Sequence, residues 1–331
     1  MDAEISENRQ VFTQSESGPA SCPCCRDVLR AVFSNVPDPN TGELFSISRC
    51  PSCGFGQTAP EPANLAPYYR ERYYGGRHWI TRRYCAWRRM RVISLSSPQG
   101  APGRLLVDIG CGDGSFLQEA QRSGWRVIGT EVSARIPAPG LEIWGTIDDL
   151  APLAPFDCVT LWHSLEHLRD PIAGLAQLKG MLASNGTLIV AVPNARGWQA
   201  RFFGHHWFHL DVPRHLHHFG VISLKAALGH AGFHVRRTWH HEVEYDVFGW
   251  IQSALNAVFA EQNVLFDWLT RRARRTGAAM FGLNVLLGAI LLVPAFLLTI
   301  LSTLSGSGGT IIVAASPVAA DGIDAPPQPR A

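Results

Sequence analysis

Residues 105–116 read LLVDIGCGDGSF, an apolar run followed by glycines at positions 110, 112 and 114. A short apolar run bounded by turn-forming residues predicts a buried strand, and residues 116–122 predict the start of a helix. The glycines therefore lie in a strand-to-helix turn, where backbone N–H groups and a helix N-terminus can approach a ligand. A second predicted strand, residues 126–130, ends in Glu131, a carboxylate placed to accept both hydroxyls of a ribose. The pattern predicts a nucleoside site on an α/β sheet.

Length and composition indicate two folded units. The chain has 331 residues, of which 46% are hydrophobic, enough for an α/β domain of about 200 residues and a smaller module. Its net charge of +2 does not require a polyanionic partner. Residues 1–20 are polar and acidic, which predicts a disordered tail rather than a signal or transit peptide. Without export, the eight cysteines are expected to stay reduced in the cytoplasm.

Four of the cysteines have the spacing of a metal site. Cys22 and Cys25 form one C-x-x-C pair, Cys50 and Cys53 form a second, and 24 residues separate the pairs. Two such pairs on facing hairpins can arrange four thiolates tetrahedrally around Zn²⁺, and a unit of about 40 residues has too little core to fold without such a staple. We therefore predict a structural zinc ribbon over residues 21–60. Cys24 as a ligand, redox-active cysteines and an unmetallated loop are the competing interpretations.

The glycine turn also resembles a known cofactor motif. Asp108 followed by G-C-G-D-G fits D-x-G-x-G-x-G, which resembles motif I of the class I S-adenosylmethionine-dependent methyltransferases rather than the G-x-G-x-x-G of dinucleotide sites. Later segments resemble the third to sixth strands of that superfamily, in order: LEIWGTIDDL, FDCVTLWHSLEHLRDP, LKGMLASNGTLIVAVPN and HLHHFGVISLKAALGHAGFHV. CPCC, RCPSCGFGQT, YYRERYYGG and PRHLHHF are similar to a bacterial group with an N-terminal zinc ribbon. The resemblance implies a Rossmann-like α/β domain over residues 101–317, with a mostly parallel seven-stranded sheet in the order 3-2-1-4-5-7-6.

The resemblance also implies which residues bind S-adenosylmethionine. The set is Asp108, Gly110, Gly112, Gly114, Glu131, Thr146, Asp148 and His163. The glycines would bend around the methionine part of the cofactor, while Asp108 would orient its amino end and Glu131 would hold its ribose. The acidic position that often approaches the adenine falls on Thr146, with Asp148 and Asp149 close by, so the chain departs from the family pattern there.

Residues 163–167, HSLEH, literally fit H-x-x-E-H, the zinc motif of inverted peptidases. That motif must lie within a helix, whereas here it begins at the end of the predicted fourth strand, so we do not expect a peptidase. Ubiquinone-pathway O-methyltransferases, which this region resembles, carry E-x-x-E-H, and His163 replaces the first glutamate, so no metal role is carried over. Ligands of open α/β folds bind at this edge of the sheet, so His163 is our first candidate for contacting cofactor or acceptor and removing a proton. A histidine that serves packing is the alternative.

Six histidines fall within residues 205–218, HHWFHLDVPRHLHH. Only His205 and His209 keep the i, i+4 spacing of a helical metal pair, and the interspersed aromatic residues favour a packed lid on the acceptor side. Within this lid, Arg214 and His215 are our functional candidates, and the remaining histidines are interpreted as structural.

Residues 68–91 interleave aromatic side chains with eight arginines and one acidic residue. Helical spacing of Ile80, Tyr84, Trp87 and Arg91 predicts a helix packed on the sheet, within a linker region at residues 61–100. Arginines that face an anionic substrate or lipid headgroup, and arginines that bind nucleic acid, are the alternatives.

A long apolar segment lies near the C-terminus. Residues 276–320 contain no Asp, Glu, Lys or Arg, and residues 278–301 are long enough to cross a bilayer. Four arginines at positions 271–275 precede it, which would mark that end as cytoplasmic. However, residues 308–317 predict the seventh strand of the sheet, and that strand cannot follow a complete crossing.

Pro294 suggests a resolution, because it would split the segment into two helices of about 12 residues, each too short to span a bilayer. We predict a shallow re-entrant or interfacial hairpin over residues 278–304, within a helical insertion at residues 242–307. Helices buried against the domain or against a second subunit of a homo-oligomer, and a true span, remain the alternatives. Residues 318–331 predict a disordered tail.

These features predict a methyltransferase at the cytoplasmic face of the membrane. It would use S-adenosylmethionine and structural zinc, and would act on a small-molecule acceptor such as a membrane-linked isoprenoid or glycan precursor. An RNA methyltransferase whose zinc ribbon grips RNA, and a cofactor-binding adaptor without catalysis, are the alternatives; we expect no nucleic-acid partner.

Overall fold

The computed structural model of the chain describes residues 20–69, 79–97, 103–132, 139–270 and 276–318. Several predictions of the sequence lie outside these residues. They concern the tails (1–19 and 319–331), three arginines of the basic stretch (70, 72 and 77) and the arginines at 271–275.

The N-terminal unit is a small antiparallel sheet that is continuous with the rest of the molecule. Its strands are β1 (Arg30–Pro37), β2 (Leu44–Arg49) and β3 (Gly56–Ala59). Two residues from a distant part of the chain, His217 and His218, extend this sheet by pairing with β3. Phe55 of the ribbon meets Phe219 edge to face, with ring centroids 5.6 Å apart. The ribbon therefore shares both a sheet and a core with the main domain.

Helix α1 spans Trp79–Ser96. The predicted helix is present, but the predicted packed face is wrong, because Tyr84 and Trp87 are 40% and 51% exposed. The buried face carries Val92 and Ile93 instead. These shorter aliphatic side chains let the helix approach its neighbour closely, whereas the two aromatic rings lie side by side at the surface.

The main domain has the predicted seven-stranded sheet, and its topology is confirmed. The strands are β4 (Leu105–Ile109), β5 (Arg126–Thr130), β6 (Glu142–Trp144), β7 (Phe156–Trp162), β8 (Leu182–Pro193), β10 (Phe233–Trp239) and β11 (Thr310–Pro317), and β9 (His217–His218) is the short strand that joins the ribbon. Strands β4 to β8 are parallel, and β11 is antiparallel to both β8 and β10. The order β6-β5-β4-β7-β8-β11-β10 places the carboxyl end of β4 where the strand order reverses, the usual ligand position of such sheets.

Helices cover both faces of the sheet. They are α1 and α2 (Ser115–Arg122) on one face and α3 (Pro171–Met181) and α5 (Val221–His230) on the other. Helix α4 (Trp198–Phe203) packs against the insertion described next. Alternate residues of β4 point to opposite faces, so Leu106 joins the core under α1 and α2, and Val107 joins the core under α3 and α5. Burial on both faces explains why β4 is apolar throughout, except for Asp108.

The insertion between β10 and β11 forms three helices, and the predicted hairpin is wrong. The helices are α6 (Val243–Val258), α7 (Val264–Leu269) and α8 (Ala278–Leu304). Helix α8 is continuous, with Pro294 inside it. A proline inside a helix costs about 3 kcal/mol, but both halves of α8 are held by packing. A Cβ on Gly288 would meet Leu265 at 2.8 Å, and Ala295 is buried in a cluster with Trp250.

Helix α8 buries one narrow face and exposes the rest. By length and composition it could cross a membrane. An 18-residue window of α8 has a mean hydropathy of 2.6, and 22% of that window is buried. The buried face consists of small or polar residues: Asn284, Gly288, Ala295, Thr299 and Ser302. The exposed faces carry large apolar side chains: Met280, Leu283, Val285, Leu286, Ile290, Leu292, Val293, Phe296, Leu297, Ile300, Leu301 and Leu304. In proteins generally, exposed apolar patches of this size mark sites of interaction.

Candidate active site

The turn between β4 and α2 has the geometry of a ligand cradle. Gly110, Gly112 and Gly114 have φ of 72°, 59° and 72°, the left-handed region that favours glycine. A Cβ on Gly110 would lie 2.9 Å from the Cβ of Ser164, whereas nothing in the described residues lies within 4 Å of that position on Gly112. Packing therefore requires glycine at 110, and the backbone at 112 is open to a ligand.

Two carboxylates flank this turn. Asp108 is 1% exposed and accepts a hydrogen bond of 2.6 Å from Thr160 Oγ1. Burial raises the pKa of Asp108 from 3.8 to about 7. Glu131, after β5, accepts a bond of 2.9 Å from the backbone N–H of Gly112. Both carboxylates therefore lie at the edge of the sheet that carries the glycines, and the set fits a ligand with a cationic amino end and a ribose.

The predicted adenine contacts follow β6, the strand next to β5. Thr146 and Asp148 are exposed, after β6. Asp149 accepts bonds of 2.8 and 3.0 Å from the N–H and the hydroxyl of Thr146, and Asp148 accepts one of 2.7 Å from Gln177. Among the described residues, neither Thr146 nor Asp148 lines the cavity described next. Their role stays a prediction, because the adjoining residues 133–138 are not described.

A cavity of about 260 Å³ lies beside the glycine turn. Its lining includes Gly110 and Gly112 of the turn and His163, which follows β7. Asn40 of the ribbon and Tyr245 of α6 also line it. The cavity is therefore built from the sheet, the ribbon and the helical insertion together.

His163 is held rigidly in this cavity. Its Nε2–H donates to Glu242 Oε2 at 2.5 Å, and Glu242 in turn pairs with Arg88 of α1. The imidazole stacks on the Tyr245 ring, with centroids 4.6 Å apart and an interplanar angle of 18°. His163 has a φ of 55°, a conformation that costs energy outside glycine and often occurs at functional sites. The other ring nitrogen of His163, Nδ1, lies 3.7 Å from Glu166 Oε1.

Glu166, His167 and His215 form a second group of possible ligands. They place one ligand atom each within 4.8 Å of one another. Among the described residues, neither carboxylate oxygen of Glu166 has a hydrogen-bond partner, and burial raises the pKa of Glu166 to about 8. The Nδ1 atoms of His167 and His215 donate to the carbonyl oxygens of Arg214 and His209, at 2.8 and 2.9 Å. The group could hold a divalent cation.

The two functional candidates of the PRH motif have different surroundings. Arg214 is 2% exposed and donates to Asp38 at 3.0 Å and to Asp211 at 2.5 Å. Its guanidinium is tied to these two carboxylates, which favours a positioning role over catalysis. Both residues line the cavity, and His215 Nε2 lies 3.9 Å from Glu166 Oε1, so His215 remains a candidate for contacting the acceptor.

The other histidines of the lid are mostly buried. Burial lowers the pKa of His209 to about 4 and that of His218 to about 3, so both are neutral at physiological pH. His217 and His218 both pair with β3, and a hydrogen bond of 2.9 Å joins His218 Nε2 to Thr58 Oγ1. These positions agree with a packed segment.

The four predicted zinc ligands lie together. The Sγ atoms of Cys22 and Cys53 are 3.4 Å apart, those of Cys25 and Cys50 are 3.3 Å apart, and all four lie within 4.8 Å of one another. A tetrahedral Zn²⁺ with bonds of about 2.3 Å requires sulfur atoms roughly 3.8 Å apart, which this arrangement fits. Cys24 is buried outside the group.

Sequence reasoning missed the residues that support His163. Glu242, Arg88 and Tyr245 come from the insertion and from α1, and none belongs to a motif. The only available signal was Glu242 itself, an acidic residue between a histidine pair and an apolar helix.

Part of the main domain matches a known family model. Residues 77–238 match a family model described as a methyltransferase domain. A ubiquinone biosynthesis O-methyltransferase of Rhodopseudomonas palustris is 28% identical over 150 residues, which cover 36% of this chain and 59% of the relative. A tRNA U34 carboxymethyltransferase of Serratia proteamaculans is 25% identical over 204 residues, which cover 55% of this chain and 57% of the relative. The chain thus spans less than two thirds of the length of these curated relatives.

Among solved structures, a methyltransferase from Archaeoglobus fulgidus, described as SAM-dependent, aligns with a TM-score of 0.45 and 17% identity. The alignment covers 76% of this chain and 100% of that one.

Proposed function

We propose that the chain is a class I S-adenosylmethionine-dependent methyltransferase that methylates a small-molecule acceptor. The observation that carries the proposal is the cavity shared by the left-handed glycine turn and His163. S-adenosylmethionine supplies an electrophilic methyl group when bound. The glycines would wrap its methionine part, Asp108 would bind its amino end, and Glu131 would hold its ribose.

His163 is the proposed base. Methyl transfer is an in-line displacement, so the protein mainly has to align the acceptor and remove its proton. Glu242 fixes one ring nitrogen of His163, and the stacked Tyr245 fixes the plane of the ring. Both contacts restrict the imidazole to one orientation toward the cavity. His215 is the second candidate on the acceptor side, and Arg214 positions it.

Helix α8 supports a location at the inner face of the membrane. A crossing is disfavoured, because α8 packs along α6, which carries the buried polar residues Asp246, Gln252 and Asn256, and these are costly in a bilayer. An interfacial position buries the exposed apolar faces of α8 and leaves the sheet in the cytoplasm. An acceptor with an isoprenoid or other lipid anchor would be presented at this surface.

The membrane contact is testable with liposomes. Leu297 is 54% exposed on α8, so Leu297→Lys should reduce co-sedimentation with phosphatidylglycerol vesicles. Ile222, which is 66% exposed on α5, provides the matched control, and Ile222→Lys should leave binding unchanged. If both variants bind the vesicles equally well, the proposed membrane contact of α8 is contradicted.

We also propose that Cys22, Cys25, Cys50 and Cys53 hold a structural Zn²⁺. A closed set of four thiolates leaves no open position for chemistry. Metal analysis of the purified protein should find about one zinc per chain, and Cys50→Ser should reduce this content. Full zinc content in that variant would contradict the ligand set.

The acceptor class is testable by following the methyl group. Protein is incubated with tritiated S-adenosylmethionine and bacterial extract, and the label is separated into lipid, water-soluble and RNA fractions. We expect label in the lipid or water-soluble fraction, and its loss in Glu131→Gln. The exposed Tyr84 and Trp87 of α1 favour the RNA alternative, because such rings can stack on bases, and label in RNA would support it.

A further inference from the structure

A second cavity lies between α4, α6 and α8. This α4–α8 groove has a volume of about 540 Å³, within the range of ligand pockets. Its walls include Trp198 and Phe203 of α4, Trp250 of α6, and Leu291 and Leu298 of α8. An apolar groove of this size can bury most of the surface of a small ligand.

The lining of the groove contains two small side chains, Ala254 of α6 and Ala295 of α8. Phe203 of α4 meets Trp250 of α6 edge to face, with ring centroids 5.7 Å apart and an interplanar angle of 70°. The space is narrow and apolar, which suits a hydrocarbon or isoprenoid chain.

Two polar groups indicate the other end of the ligand. Arg201 is the charged residue among those lining the groove, and it forms no ion pair with the described residues. Trp250 is 6% exposed, and its Nε1–H has no hydrogen-bond acceptor among the described residues. Buried indole N–H groups normally find a partner, so an oxygen atom of a ligand is expected here.

We propose that the α4–α8 groove binds one chain of an anionic membrane lipid, with its oxyanion near Arg201. The α8 wall of the groove borders the exposed apolar faces of the same helix, so a chain can enter directly from a bilayer against which α8 lies. The proposal rests on the membrane contact of the proposed function and adds a specific lipid site to it.

Photolabelling tests the site. The full-length protein is labelled with a diazirine derivative of palmitic acid, and the labelled peptides are mapped by mass spectrometry. We expect label on residues 198–203 and 250–254. Ala254→Trp should fill the groove and lower the labelling about tenfold, whereas Ala257→Trp, at an exposed position of the same helix, should not. Labelling that maps elsewhere, or that Ala254→Trp leaves unchanged, overturns the proposal.

The charge requirement is tested with a neutral probe. Wild-type protein should prefer the acid over the corresponding diazirine hexadecanol, and Arg201→Gln should abolish that preference. The control Arg236→Gln, on the exposed part of β10, should keep it. Equal labelling of wild type by both probes overturns the anionic assignment. A dimeric wild type that Ala254→Trp converts to a monomer, with no labelling of the groove, would assign it to a second copy of the chain.

S-adenosylhomocysteine binding, measured on every variant, reports folding independently of the groove. Intact cofactor binding together with lost labelling supports the lipid site. Failure of the wild type to bind cofactor would contradict the methyltransferase proposal instead, so the two failures are distinguishable.

Discussion

Replacing Asp108 with asparagine should stabilise the cofactor-free protein and weaken cofactor binding. Asp108 is 1% exposed, and burial raises its pKa from 3.8 to about 7. Asparagine has nearly the same shape, and its Oδ1 can still accept the bond that Thr160 donates to Asp108 at 2.6 Å. The substitution therefore removes the charge and keeps the packing.

The size of the effect follows from the pKa. Between pH 3.8 and about 7, the folded protein holds a proton on Asp108 that the unfolded chain releases, so its stability falls as the pH rises through this window. Each pH unit is worth about 1.36 kcal/mol, so the ionised carboxylate costs the folded protein roughly 4 kcal/mol above pH 7. Asparagine lacks this cost. A gain of only half that amount raises the Tm of a domain of this size by roughly 4–8 °C.

Calorimetry measures both consequences. The Tm of Asp108→Asn minus that of wild type should be smallest at pH 5 and should increase up to pH 8. Titration with S-adenosylhomocysteine should show the opposite effect, with the variant binding roughly 10- to 150-fold more weakly, because a charge-assisted hydrogen bond to the ligand's ammonium is lost. Wild-type affinity should rise as the pH increases through about 7.

Two outcomes would refute this reasoning. A Tm difference that does not change with pH would mean that burial of the Asp108 charge does not cost stability. Unchanged affinity for S-adenosylhomocysteine would remove Asp108 from the cofactor site. Glu142→Gln, on the exposed strand β6, is the control, and it should alter neither quantity.

Three further substitutions test other parts of the site. Glu131→Gln should weaken S-adenosylhomocysteine binding roughly 10- to 150-fold in a calorimetric titration, since an amide cannot accept from both ribose hydroxyls; equal affinity would contradict the ribose assignment. Gly110→Ala should lower the free energy of unfolding in urea by about 1–3 kcal/mol, because φ is 72° and the new Cβ would lie 2.9 Å from that of Ser164; wild-type stability would exclude so close a contact. Asp38→Ala should cost about 3–5 kcal/mol, because it leaves the buried Arg214 with one carboxylate fewer, and Asp38→Asn should recover part of this loss.

The sheet was predictable because its signals are local. A parallel strand buried on both faces is a short continuous apolar run, so residues 105–108 and 126–130 identify β4 and β5 without tertiary information. The cysteine pairs are equally local signals, because the C-x-x-C spacing alone brings the two thiols of each pair together. The order of these segments then predicts the topology.

The errors concern contacts between distant segments. Pro294 predicts a break when α8 is considered alone, but packing along α6 and α7 outweighs the lost hydrogen bond. The burial of Arg214 was equally unpredictable, since its partner Asp38 lies 176 residues away in the chain. The supporting role of Glu242 was invisible for the same reason, since 79 residues separate it from His163.

The ribbon contacts the PRH motif of the main domain directly. Thr58 Oγ1, on β3, donates to the carbonyl oxygen of His215 at 2.7 Å, and Asp38, just beyond β1, pairs with Arg214. The ribbon therefore holds both residues of the motif from outside the sheet. On the cofactor side, Glu131 accepts from the backbone N–H of Gly112, and the Cβ position of Gly110 meets Ser164 of the loop after β7, so these contacts lie within the main domain. Loss of zinc from the ribbon should therefore disturb the acceptor side of the cavity. The cofactor side, which the sheet forms, should remain intact.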